Sequence, residues 1–270
     1  MIEPMILNHK TAIQLSSFVI ALTVLLICES LFERRKFIYS RALRVTSNLG
    51  IAVLNNILLK ISFPILALGA AHIAESRNWG IFAWLESPEW VKVPCCILLL
   101  DWVIYTQHVV FHKVPLLWRL HRTHHADLEL DVSSAIRFHP LEIQISMGIK
   151  IGAVLLLGPP PIAVFLFELL LTLNAMFNHS NIFIPENLDR YLRLFIVTPD
   201  VHRVHHSIYP EETNSNYGFN FPWWDHFFHT YRDQPRDGHR EMLIGIDLFR
   251  STKWLAFHQI LLEPFVDRKD

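Results

Sequence analysis

Ten of the sixteen histidines fall between residues 108 and 206, most of them in compact HxxxH and HxxHH clusters. They are His108 and His112, then His121, His124 and His125, then His139, His179, and finally His202, His205 and His206. Imidazole is the commonest metal-ligating side chain. Residues three and four apart share one face of a helix, so the pair and each triad project their rings to one side. A structural zinc closes with about four ligands, fewer than this set offers. Two metals with roughly five or six ligands each, partly shared with exogenous oxygen, fit the number better. All-nitrogen donors suit zinc, copper, iron or nickel alike. Cys28, Cys95 and Cys96 make no CxxC pair, which disfavours zinc ribbons, iron–sulfur clusters and a disulfide framework.

The elements that must position these rings are apolar. Hydrophobic residues make up 51% of the 270-residue chain and charged residues 18%, against about 25% charged in a soluble domain. Net charge is -1, which leaves no basic stripe for nucleic acid. A bilayer core needs about 20 apolar residues as helix. Runs at 12–28 (extended by Leu31 and Phe32), 49–74 and 93–110 meet that need. Shorter runs at 143–157 and 162–177 flank Gly158-Pro159-Pro160-Pro161, a stop and rigid restart that predicts a helical hairpin. Residues 1–10 lack the basic start of a cleaved signal, so the first run is expected to be a permanent span.

Arg34, Arg35, Lys36, Arg41 and Arg44 crowd the connection between the first two runs, against Glu33 alone. The positive-inside rule puts that connection in the cytoplasm. Counting onward places the N-terminus, the 75–92 connection and the hairpin tip outside, and gathers the histidines on the cytoplasmic face. Lys60 lies within the second run; either it snorkels or Pro64 breaks the segment. The expectation is an all-α integral membrane protein of four to five transmembrane helices, including the hairpin, with a cytoplasmic, helical, histidine-rich cap. Residues 1–92 would form N-terminal spans and loops, 93–245 the catalytic domain, and 246–270 a C-terminal helix lying in the interface or packed on the cap.

Helical phase points to neighbours of the imidazoles. Asp101, Tyr105, His108 and His112 line one face of the third run. An aspartate inside a span is expensive and functional by default; it either orients a metal-bound imidazole or pairs with Lys60. Asp200, with Asp127, Glu129 and Asp131, flanks the triads and offers acceptors for imidazole N–H groups. Glu168 stands about 16 Å up the helix from His179, which suits a contact with another span or a substrate channel.

The order HVVFH (108–112), HRTHH (121–125) and HRVHH (202–206) resembles the signature of the fatty acid hydroxylase/sterol desaturase superfamily of integral-membrane di-iron enzymes. The resemblance extends to RFHPLE (137–142), NHSN (178–181), NYG (216–218) and Trp224-Asp225, covering roughly residues 45–245. It implies two non-haem irons that activate O2 against a C–H bond of a lipid. His108, His112, His121, His124, His125, His202, His205 and His206 match the family's ligand positions, and His179 matches a further histidine after the hairpin. His139 matches the HPxE histidine, as ligand or outer donor; alternatively His139-Pro140 opens a helix. Where relatives often read WDRLFGT, this chain has WDHFFHT (224–230), and His226 and His229 are expected at the surface.

The implied activity is lipid hydroxylation or desaturation, on a sterol, fatty acid or related lipid. No HPGG haem stretch and no flavin or nicotinamide fingerprint occurs, so electrons would come from a separate donor of cytochrome b5, ferredoxin or reductase type. The membrane would be the cell (inner) membrane or the endoplasmic reticulum. The competing reading is a histidine-rich metal transporter or metal-binding scaffold; a transporter would place its histidines near mid-membrane.

Overall fold

The computed structural model describes residues 2–269, and among them the only regular structure is helical, apart from isolated β-bridges. The helices run α1 (Ile2–Asn8), α2 (Lys10–Leu31), α3 (Arg41–Ser62), α4 (Ala67–Arg77), α5 (Ile81–Trp84), α6 (Glu89–Lys113), α7 (Pro115–His125), α8 (Pro140–Leu157), α9 (Pro161–His179), α10 (Glu186–Leu192) and α11 (Pro199–His205). Short turns follow as far as Phe257–Ile260. Five stretches are long and apolar enough to cross a membrane: α2, the 41–84 stretch, α6, α8 and α9. The chain is therefore read as a multi-pass membrane protein. Leu15, Ile20 and Ile27 of α2 are exposed, as befits a helix whose solvent is lipid.

Proline and glycine set the breaks. Phe63, which precedes Pro64, leaves α3 in an extended conformation, and the helix restarts at Ala67 as α4; a residue before proline is pushed out of the helical region. Of the two readings of Lys60, the proline break is what the structure contains, and Lys60 sits exposed in the last turn of α3. Pro115 ends α6 and opens α7, turning the chain between the first two histidine clusters. Gly158 closes α8 with φ 63° and Pro161 opens α9, forming the expected hairpin.

That hairpin tip touches Gly80, whose φ is +93°. A Cβ on Gly80 would come 2.2 Å from Gly158 N, and a Cβ on Gly158 would come 2.0 Å from Trp79 O. The contact puts the 75–92 connection and the hairpin tip at one end of the molecule. At the opposite end, the basic 33–44 connection reaches into the histidine-rich cap. Arg34 pairs with Asp200 at 2.9 Å, Arg35 donates to the carbonyls of His239 and Met242 at 2.7 Å each, and buried Arg44 holds Asp127 and Asp131 at 2.7 Å each. The arginines that signal orientation are thus also structural pieces of the cap.

Helix α9 is the axis of the bundle, packing on α2, α4, α6, α11 and the 3-10 turn Val132–Ile136. Its apolar neighbours come from both the N-terminal and the later spans, with Ala67, Phe82, Leu100, Val154 and Phe165 in one buried cluster. Of the two readings of the C-terminal segment, interfacial or packed, the structure contains the packing contacts. Phe257–Ile260 is a single helical turn against α3, Trp254 and Ile260 are buried, and Arg122 and Arg137 grip the carbonyl and carboxylate of Glu263. Trp254, Leu255 and Ile260 are buried against protein, while Phe257, Leu262 and Phe265 stay exposed.

Candidate metal centre

The histidines converge where α6, α7, α9 and α11 meet beneath the spans. His108, His112, His121, His125 and His205 form one group, and His124, His179, His202 and His206 a second. Within each group the ligand atoms lie within 4.8 Å of one another. Helical spacing explains the partition. On α7 the i and i+4 members, His121 and His125, join the five-histidine group, while the i+3 member, His124, joins the other. On α11 the assignment is reversed: His202 and His206 go to the four-histidine group and His205 crosses to the five. Each triad therefore spans both groups.

The donor set fits metal ions. The Nε2 atoms of His108 and His121 are 3.1 Å apart, as are those of His179 and His124; the His202–His179 and His206–His202 separations are both 3.2 Å. Nitrogens about 2.0–2.1 Å from a shared ion stand about 3 Å apart when adjacent. His112 and His125 bury both ring nitrogens without a hydrogen-bond partner, and His205 Nε2 is likewise orphaned. Buried polar atoms are ordinarily paired, so orphans facing a common centre point to a cation. Burial holds His124, His125, His202 and His206 well below the ordinary imidazole value and takes His205 down to about 3, with nearby imidazoles adding to the effect. Neutral imidazole is the form that ligates.

The outward ring nitrogens are fixed by acceptors. His121 Nδ1 lies 2.6 Å from Glu142 Oε1, His108 Nδ1 lies 2.7 Å from Tyr217 O, and His205 Nδ1 lies 2.7 Å from Ser215 O. His179 Nδ1 meets Ala175 O at 2.8 Å and Asn178 Oδ1 at 2.7 Å. A hydrogen bond at one nitrogen sets the tautomer and aims the other.

His139 joins neither group. Its Nδ1 accepts from Leu141 N at 3.2 Å, capping α8, and its ring packs edge-on against Phe265. In the RFHPLE stretch it is Glu142, one helical turn later, that reaches an imidazole. Asp101 bonds neither an imidazole nor Lys60; it accepts from Asn220 and Trp224, at 2.8 Å each. Tyr105 meets Thr230 at 2.9 Å and stacks on Phe228. Both tie down the 216–230 loop, in which Asp225 accepts from Tyr217 N and Gly218 N at 2.8 Å each. That loop supplies the carbonyl behind His108, so Asp101 and Tyr105 position the site through it.

Asp200 pairs with Arg34 and Arg203; against the upward push of burial, these cations draw its carboxyl down to about 2. Asp127 and Asp131 serve Arg44. His226 and His229 are exposed, as expected. Sequence reasoning left Glu142 and Tyr217 without roles: Glu142 carried a signal in its motif, whereas Tyr217 acts through its backbone carbonyl, which no side-chain pattern reveals.

A cavity of about 260 Å³ opens between α6, α8 and α9 and touches His108 and His121. On the cap side, a second cavity reaches His112 past Trp118 and Asn214. The profile of the fatty acid hydroxylase family matches residues 93–230, just over half of the chain. The chain belongs to the fatty acid hydroxylase family. It is 31% identical over 206 residues to an ornithine lipid hydroxylase of Rhizobium tropici, covering 76% of this chain and 59% of that protein. It is 32% identical over 161 residues to the alkylglycerol monooxygenase of Homo sapiens, covering 59% of this chain and 35% of the relative. With the cholesterol 25-hydroxylase of Mus musculus it shares 27% identity over 155 residues, covering 56% and 51%. The matched region thus spans between about a third and three-fifths of these relatives. No solved structure matches the chain with significance.

Proposed function

We propose that the chain is a membrane-embedded lipid oxygenase that holds two irons. One arrangement carries the reading: two abutting, buried, all-imidazole groups, of which the five-histidine group faces an apolar cavity between spans. His108, His112, His121, His125 and His205 would hold one ion, and His124, His179, His202 and His206 the other. When bound, the irons would supply redox chemistry that reduces O2 while inserting one oxygen atom into a C–H bond. For hydroxylation, lipid R–H, O2, two electrons and two protons give R–OH and water. The electrons are supplied by a separate donor of cytochrome b5, ferredoxin or reductase type.

The protein's own work is placement. Glu142, Tyr217 O and Ser215 O hold imidazole rings in one tautomer and orientation. Ile104, Phe111, Phe138 and Phe219 wall the cavity with apolar surface, which takes up an aliphatic chain and excludes water. A saturated carbon lodged beside His108 and His121 is the one attacked; whether the product is an alcohol or an alkene depends on how the neighbouring carbon is held. The basic 33–44 connection lies on the same end as the histidines, which supports a cytoplasmic site in the cell membrane or the endoplasmic reticulum.

Comparative lipid mass spectrometry of cells carrying the wild-type chain, none, or His205→Ala tests the reading. A lipid that gains an oxygen or a double bond only with the wild type supports it; identical profiles in all three contradict it.

A further inference from the structure

The cavity that begins at His108 and His121 ends at a charge. Lys150 lines it, inside α8, among walls that are mostly apolar. Lys150 stands eight residues beyond Glu142, the residue that grips His121, so it lies about 12 Å further along the helix axis. An ionisable side chain at that depth is expensive and marks a functional position by default. Its partner is Glu168 of α9, 3.4 Å from Nζ, and Glu168 also receives Gln14 Nε2 at 3.5 Å. An ammonium has three N–H donors; Glu168 engages one of them. The donors of the other polar side chains are engaged: Gln107 Nε2 donates to Ser146 at 2.8 Å and the Thr172 hydroxyl to Glu168 O at 2.9 Å, while Gln107 Oε1 is a buried acceptor without a partner, which leaves Lys150 as the cavity's cationic donor.

Resting on the lipid-oxygenase reading, we propose that Lys150 binds an uncharged carbonyl or hydroxyl oxygen of the substrate at the end of the cavity away from His108 and His121, where the aliphatic carbon is presented. Charge decides the class of group. Lys150 and Glu168 together are neutral, and in an apolar cavity a further carboxylate would meet Glu168 with little screening. A carbonyl or hydroxyl takes a spare N–H without that repulsion. Apart from Gln107, Ser146 and Thr172, the walls between the two ends are apolar, so most of the intervening chain meets only hydrocarbon. Of the lining residues on α9, Thr172 is exposed while Ala175 and Met176, one turn on, are buried, so on that helix the cavity deepens from Thr172 toward the histidines.

The test is binding, so that it does not depend on turnover. Full-length, metal-loaded protein in phosphatidylcholine nanodiscs is titrated with tritiated 1-dodecanol and competed with n-dodecane or dodecanoate, against empty discs. The expected order for the wild type is dodecanol tighter than dodecanoate. Lys150→Met is expected to weaken dodecanol roughly tenfold, the scale of one lost charge-assisted hydrogen bond, and to leave dodecane competition unchanged. Lys150→Arg is expected to retain most of the dodecanol affinity, and Glu168→Gln to shift preference toward dodecanoate. Wild-type metal content in each variant serves as the folding control. Equal dodecanol affinity in wild type and Lys150→Met, or no saturable dodecanol binding at all, overturns the proposal. If the binding pattern holds and metal-loaded protein oxidises no lipid, the oxygenase reading fails while the assignment of Lys150 stands.

Discussion

His125 and His206 stack with ring centroids 4.5 Å apart and planes 21° from parallel, yet each belongs to a different histidine group. Their contact is the seam between the two proposed metal positions. It arises because α7 and α11 carry the same HxxHH spacing and distribute it in opposite ways. Neither group can form without both helices, so the two sites are built as one unit.

Separate occupancy is nonetheless testable. His202→Ala removes a ligand from the four-histidine group alone, and His112→Ala from the five-histidine group alone. Each variant is expected to lose close to one metal equivalent by elemental analysis of the purified protein. Loss of both ions from either variant would mean that one ion is required for the other to bind.

Glu142 and His139 are neighbours in one motif with different duties. Glu142→Gln leaves His121 without its carboxylate and is expected to weaken metal binding about 10- to 100-fold, read by competition with a chelator. His139→Ala removes a helix cap and is expected to cost about 0.5–2 kcal/mol of stability while metal content stays at the wild-type level. A matching loss of metal in His139→Ala would return that residue to the ligand set.

Arg44 is fully buried among Asp127, Asp131 and the Glu129 carbonyl. Removing one partner of a buried ion pair strands the other charges, typically at about 3–5 kcal/mol. Arg44→Leu is therefore expected to lower the thermal unfolding midpoint sharply in detergent. Lys36→Leu, in the same basic connection but outside these ion pairs, is the comparison and should change little.

Gly80→Ala places a Cβ against the backbone of Gly158 at a positive φ. Both the collision and the left-handed conformation oppose it, so the hairpin tip must shift. Proteolysis at the 75–92 connection should accelerate in this variant, and an unchanged cleavage rate would show that the contact is dispensable.

Much of this arrangement was legible in the residues. The HxxxH and HxxHH spacings named the groups because helical phase alone puts such rings on one side, and the Gly158–Pro161 turn gave the hairpin. What failed was the assignment of carboxylates. Asp101 looks like an imidazole partner from its phase on α6, but phase says nothing of a loop more than a hundred residues later, and Asn220 and Trp224 claim it. Asp127 and Asp131 flank a histidine triad in sequence yet turn toward Arg44, because a buried guanidinium outcompetes a neutral imidazole for an anion. The crossing of His124 and His205 between groups also needed the structure, since it depends on how α7 and α11 face each other. The C-terminal strap was left open by composition: Trp254, Leu255 and Ile260 suit lipid or protein equally, and only the structure shows them packed against α3 and α7.

Paired metal positions are checked by the iron content of full-length protein purified after expression with iron, measured by elemental analysis, with anomalous scattering from crystals to locate the ions. Two irons per chain are expected, one within each histidine group. A single ion, or ions elsewhere with these imidazoles unligated, would contradict this pairing.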